Sequence, residues 1–129
     1  RKGRVVQGHG ALLPEHIHIQ GETVRFLSPH EVYKKYSVLD AAHDVATLMV
    51  DLIVANEKEL ADHFLQKYKE ASRDKDLESI LPAYQTYCAL KHGVLTCERK
   101  VALQDESLGP VALEYFNLAT RFSRTISKD

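Results

Sequence analysis

From Asp40 to Ala55 the apolar residues Ala41, Val45, Leu48, Met49, Leu52 and Ile53 fall at helical spacing, and this period constrains the chain more than any other feature. A second stripe follows, Leu60, Phe64, Leu65 and Tyr68, on a helix expected from Glu57 to about Ser72. Asn56 reads as its N-cap, with Glu59 three residues on in a near capping box. A third stretch runs from about Asp76 to Gln104, carrying Leu81, Tyr84, Tyr87, Cys88, Leu95 and Val101. Pro82 is read as early enough for a helix to tolerate, and Gly93 as a weak point. After a loop over Asp105 to Pro110, a last helix spans roughly Pro110 to Ser123 with Leu113, Phe116, Leu118, Ala119 and Phe122 apolar.

Residues 1–36 have a different texture. They hold four of the six glycines and two of the four prolines, with short β-type runs at Arg4–Gln7, His16–Gln20 and Thr23–Leu27. Gln20-Gly21-Glu22 reads as the turn of a hairpin between the last two runs. The expected fold is therefore mainly α with a small β component (α+β): one domain over residues 1–129, with a β-rich segment over 1–36 and a helical subdomain over 37–129. A chain of 129 residues suits one core.

Bulk properties exclude some function classes. Lys+Arg number 17 and Asp+Glu 18, a balance that offers no field for nucleic acid or an anionic membrane. No apolar run reaches the length of a membrane span, and no signal-peptide core follows the basic Arg1-Lys2-Gly3-Arg4. The absence of an initiator Met suggests a piece of something longer. The two cysteines, Cys88 and Cys97, fall on one expected helix. Nine residues at about 1.5 Å of rise separate them by roughly 13 Å, so they cannot bridge within it. Free thiols point to a reducing, cytoplasmic setting.

The β-rich segment carries the chemistry-bearing pattern. It reads His9-Gly10-Ala11-Leu12-Leu13-Pro14-Glu15-His16-Ile17, then the hairpin strand Thr23-Val24-Arg25-Phe26-Leu27. Leu39-Asp40-Ala41-Ala42-His43-Asp44-Val45-Ala46 opens the first helix. Downstream stand Ala61-Asp62-His63-Phe64-Leu65-Gln66-Lys67-Tyr68, Tyr84-Gln85-Thr86-Tyr87, Lys100-Val101 and Ala112-Leu113-Glu114-Tyr115-Phe116-Asn117-Leu118-Ala119. In order and spacing, over about residues 6–122, this layout resembles the C-terminal lobe of the aminoglycoside phosphotransferase and choline kinase superfamily. There a catalytic loop of the form His-Gly-Asp-Leu-His-x-x-Asn-Ile leads into a hairpin that ends in a metal-binding Asp.

The resemblance implies a kinase-like C-lobe whose reactive positions have degenerated. His9 keeps the loop's first residue. Ala11 stands where the family places the Asp that accepts the substrate hydroxyl's proton, and a methyl group accepts none. His16 stands at the magnesium-binding Asn, and imidazole suits that hard cation poorly. Leu27 stands at the second metal-binding Asp. Phosphoryl transfer relies on positioning and charge neutralisation, so the resemblance implies no phosphotransferase activity, no catalytic residue, no cofactor and no bound metal. Asp44 matches the family Asp that braces the catalytic loop, with an ordinary first-turn acid as the alternative. The implied role is a pseudokinase-like binding or assembly module that engages a protein partner or a second copy of itself. A fragment of an active small-molecule kinase, its nucleotide-binding lobe outside this chain, is the alternative.

Other clusters have simpler explanations. His16 and His18, two residues apart on one expected strand and so facing one side, are with His9 or His30 a transition-metal candidate, but seven histidines yield such pairs by chance. Asp40 and Asp44, one turn apart and followed by Asp51, suit capping or solvation better than cation binding. Glu98-Arg99-Lys100 and Arg121-Phe122-Ser123-Arg124 read as wetted helix faces. Tyr84, Tyr87, Tyr115 and Phe116 read as core rather than a binding face.

Overall fold

The computed structural model describes residues 1–27 and 38–126. It is mainly helical, with a small β component ahead of four helices. The strands are β1 (Val5–Gln7), β2 (Ile17–Gln20), β3 (Thr23–Phe26) and β4 (Val38–Asp40). The helices are α1 (Ala41–Val54), α2 (Lys58–Ser72), α3 (Leu77–Leu103) and α4 (Leu108–Ser123). A single 3-10 turn, Pro14–His16, leads into β2.

Helix α1 lies at the centre. Ala42, Val45, Ala46, Thr47, Leu48, Met49 and Val50 are all buried on it, because α2, α3 and α4 each pack against it. Small residues let the helices approach: Ala42 and Ala46 of α1, Ala61 of α2, Ala89 of α3 and Ala119 of α4 join Val45, Val50, Leu77, Leu81 and Leu118 in one core. Each large aliphatic side chain buried there contributes about 1.5–3 kcal/mol. Asp40 caps α1, accepting the backbone N–H of Ala42 at 2.9 Å. Its carboxylate also takes a two-pronged contact from Arg1, at 2.7 and 2.6 Å, while Arg1 Nη1 reaches Asp74 at 2.8 Å. The bonds from Arg1 hold the Asp40 carboxyl below its usual range, against the opposing effect of burial.

The expected elements are found within a residue or two, with three corrections. Asn56 does not cap α2. The helix begins at Lys58 with no side-chain cap, and Asn56 adopts φ 63°. The N–H of Asn56 donates to Ile53 O and that of Glu57 to Leu52 O, a Schellman closure of α1. The turn requires a left-handed residue, which Asn tolerates, so the backbone there serves the end of α1 rather than the start of α2. Pro82 is the sixth residue of α3, beyond the first turn. The carbonyl four residues back, that of Glu78, therefore lacks the N–H that would be its helical donor. Gly93 does not break α3, which runs unbroken to Leu103.

The β elements form two separate pairs. β1 runs antiparallel to β4 (Val5 opposite Asp40, Gln7 opposite Val38), tying the chain start to the entry of α1. β2 and β3 form the expected hairpin, with Ile17 opposite Phe26 and Ile19 opposite Val24. Residues directly opposite in an antiparallel pair share a face, so all four of these apolar residues lie on one side. This face is open, with Ile19 73% and Phe26 59% exposed.

Candidate functional site

The segment from Gln7 to Ala11 crosses the N-terminal end of α1, where Asp44 occupies the first turn. Asp44 Oδ2 accepts the backbone N–H of His9 at 2.7 Å, and Oδ1 accepts that of Gly10 at 3.0 Å. These two contacts are more than a solvated first-turn acid would make. Burial pushes the Asp44 carboxyl upward. The His43 ring, with Nδ1 3.9 Å from Oδ1, and the two backbone N–H groups outweigh it and hold the carboxyl below its ordinary value. That separation is too long for a hydrogen bond, and His43 Nδ1 is buried without a partner among the described residues.

His9, Ala11, His16 and Leu27 come together around this brace. His9 Nε2 lies 2.6 Å from the carbonyl of Leu27, and the N–H of Ala11 donates to His9 Nδ1 at 3.2 Å. With Nδ1 accepting, Nε2 must carry the proton and donate to Leu27, which assigns the ring's tautomer. The N–H of Leu27 donates to the carbonyl of His16 at 2.8 Å. His16 Nδ1 in turn reaches the carbonyl of Ala11 at 2.7 Å, and the two imidazoles lie 5.7 Å apart. Both histidines therefore bond backbone carbonyls and knit the loop to the end of the hairpin. Ala11 is buried, whereas the Leu27 side chain is 42% exposed.

The remaining candidates are dispersed. His16 closes the 3-10 turn rather than lying on the strand expected to carry both histidines, and His18 lies opposite Arg25 on the hairpin's other side. His30 lies outside the described residues. Among the described residues no group of three metal-ligating side chains converges. Asp40, Asp44 and Asp51 each have their own partners and form no common cation site. Cys88 is buried, with its thiol pushed up by burial, and Cys97 is exposed. Tyr84 packs against the core, Tyr87 is exposed and Phe116 lies on Gly93, so the aromatic residues make no single face. Lys100 pairs with Glu106 at 3.0 Å.

One cluster was not legible in the sequence. An open cleft of about 880 Å³ lies between the 3-10 turn and the three helices α1, α3 and α4, with Leu13, Pro14 and Glu15 on one wall. On the other side His92 Nδ1 donates to Asp51 Oδ1 at 2.6 Å, and the Tyr115 hydroxyl donates to the same oxygen at 2.8 Å. Burial and the adjacent Asp51 carboxylate push the Tyr115 hydroxyl well above its ordinary value. Because a carboxylate only accepts, this contact places the imidazole's proton on Nδ1. These residues stand 41 and 64 positions apart along the chain, and no local pattern joins them.

Comparison with known proteins extends the description only a little. No family model and no solved structure matches the chain. Uncharacterized protein Rv2004c of Mycobacterium tuberculosis (strain H37Rv) and uncharacterized protein Mb2027c of Mycobacterium bovis are each similar to it, at 30% identity over 99 residues. The match covers 77% of this chain and 20% of either relative, so the chain spans about a fifth of the proteins it matches.

Proposed function

We propose that this chain is a non-catalytic binding or assembly module built on a kinase-like C-terminal lobe whose phosphotransfer residues have been replaced. The observation that carries this reading is the Asp44 brace. Its two backbone bonds hold the His9-Gly10 turn, while the next residue, Ala11, presents a buried methyl group where a proton acceptor would be needed. His9 and His16 are spent on backbone carbonyls, and Leu27 offers no carboxylate at the hairpin's end. A loop held in position without reactive groups is suited to presenting a surface. The hairpin supplies one, with Ile19, Val24 and Phe26 aligned and exposed, and apolar patches of this kind mark interaction sites. No helix among the described residues is long and apolar enough to cross a membrane.

The test is direct. Incubated with ATP, magnesium and a panel of aminoglycosides, choline-like alcohols and sugars, the chain should show no turnover above buffer. Turnover abolished by a loop substitution would overturn the reading. Calorimetry should find ATP–magnesium binding no tighter than about 10 μM, roughly −7 kcal/mol.

A second reading makes the chain a fragment of an active small-molecule kinase. It is favoured by the extent of the relatives, of which the match covers 20%. A glycine-rich loop and a strand lysine upstream in the full-length gene product, together with ATP turnover by that product, would decide for it.

A further inference from the structure

On α3, Tyr87, Leu90, Val94, Cys97 and Val101 follow one another at intervals of three, four, three and four residues. This is the seam spacing by which one helix packs lengthwise on another. The stripe spans roughly 21 Å of helix. Among the described residues it is left open: Tyr87, Leu90, Val94 and Val101 are between 47% and 77% exposed, and Cys97 is exposed as well. We infer that this stripe is a self-association seam, on which α3 of a second copy packs antiparallel.

The flanks of the stripe select both the occupant and the direction. Call Tyr87, Val94 and Val101 the a positions and Leu90 and Cys97 the d positions. The g flank then carries Gly93 and Lys100, and α4 already covers it: Phe116 lies against Gly93, and Lys100 pairs with Glu106 and packs along Gly109. Only the e flank is open, and it carries Lys91 and Glu98, both exposed. A parallel partner would set this flank against the g flank, which α4 occupies. An antiparallel copy sets e against e, so that Lys91 of each copy faces Glu98 of the other, twice, by symmetry. Lys91 and Glu98 stand seven residues apart, about 10 Å along one helix, too far to satisfy each other. The surface is thus complementary in charge to itself, as the common two-fold dimer requires. The inference goes beyond the proposed function, because a seam on α3 holds whether or not the loop near Ala11 has lost its chemistry.

Sedimentation equilibrium on the 129-residue chain tests it. A dimer with a Kd on the order of 10 μM is expected. Val94→Glu should weaken it by about tenfold or more, since it buries an unpaired charge in the seam. Lys91→Glu and Glu98→Lys should each weaken it, and the Lys91→Glu/Glu98→Lys double variant should restore it. A loss caused by misfolding would not be restored in this way. Phe26→Asp on the hairpin should leave the dimer intact. A monomer at the highest concentrations, or failure of the double variant to recover, would overturn the inference. So would a dimer that Phe26→Asp breaks and Val94→Glu does not, which would place the interface on the hairpin. Turnover with ATP bears only on the proposed function, so the two can fail separately.

Discussion

Gly8 and Asp44 are so close that a methyl group on Gly8 would lie 2.5 Å from Asp44 Oδ2, and 3.0 Å from a methyl of Leu39. The carboxylate cannot swing away without releasing the N–H groups of His9 and Gly10. Gly8→Ala should therefore displace the loop or break the brace. The expected cost is about 2 kcal/mol, the scale of a lost hydrogen bond to a charged group. Urea unfolding would measure it. Amide exchange at His9 and Gly10 should quicken well beyond that of the core helices.

The brace also predicts an acid response. Asp44 has a folded pKa held below the ordinary 3.8. Its contribution is fully present above that unfolded value and is lost as pH falls through the lower folded value. Stability measured downward from pH 5 should decline through this region. Asp44→Asn should be less stable at neutral pH by roughly 2–3 kcal/mol and should show a shallower acid decline. Equal acid slopes for the two proteins would mean that Asp44 does not carry the charge in the brace.

Gly93 lets α3 and α4 approach closely at Phe116, since a Cβ at position 93 would lie 2.7 Å from Phe116 Cε1. Alanine would gain about 1 kcal/mol in helix propensity. The displaced ring would forfeit packing between the two helices worth about 1–3 kcal/mol. Gly93→Ala should thus be neutral to destabilising in Phe116 protein and stabilising in a Phe116→Leu background. Thermal unfolding of the four proteins completes the cycle.

Tyr115→Phe removes one of two hydrogen bonds on Asp51 Oδ1 while keeping the ring's volume. It should cost about 1.5 kcal/mol and leave His92 as the only described partner of that carboxylate. NMR of the His92 ring should then show a stronger interaction with Asp51. An unchanged ring signal would mean that the cluster is not coupled.

Much of the fold follows from local rules that a chain carries in its sequence. The apolar period from Ala41 to Ile53, the turn at Gly21 and the loop at Asp105 place α1, the hairpin and α4 because each depends on neighbours within a few residues. The contact of Asp44 with the loop was suggested only by the family resemblance, because a first-turn acid taken by itself reads equally well as a solvated one. Where two local signals competed the outcome was tertiary. Asn56 served the close of α1, since the tight turn into α2 needed a left-handed residue more than it needed a cap.

The hairpin register and the cleft belong to the tertiary structure alone. Alternation says that Ile17 and Ile19 share one side of β2, but only pairing with Phe26 and Val24 puts all four on one face, which Ile19, Val24 and Phe26 leave exposed. Asp51, His92 and Tyr115 converge because three helices pack at one end of the core, and their separations in sequence encode nothing of that meeting. The stripe from Tyr87 to Val101 shows the same division. Its spacing is written in the sequence as a helical face. That the face is left to solvent was decided by packing, which spent the opposite side of α3, with Leu81, Cys88 and Ala89, on the core.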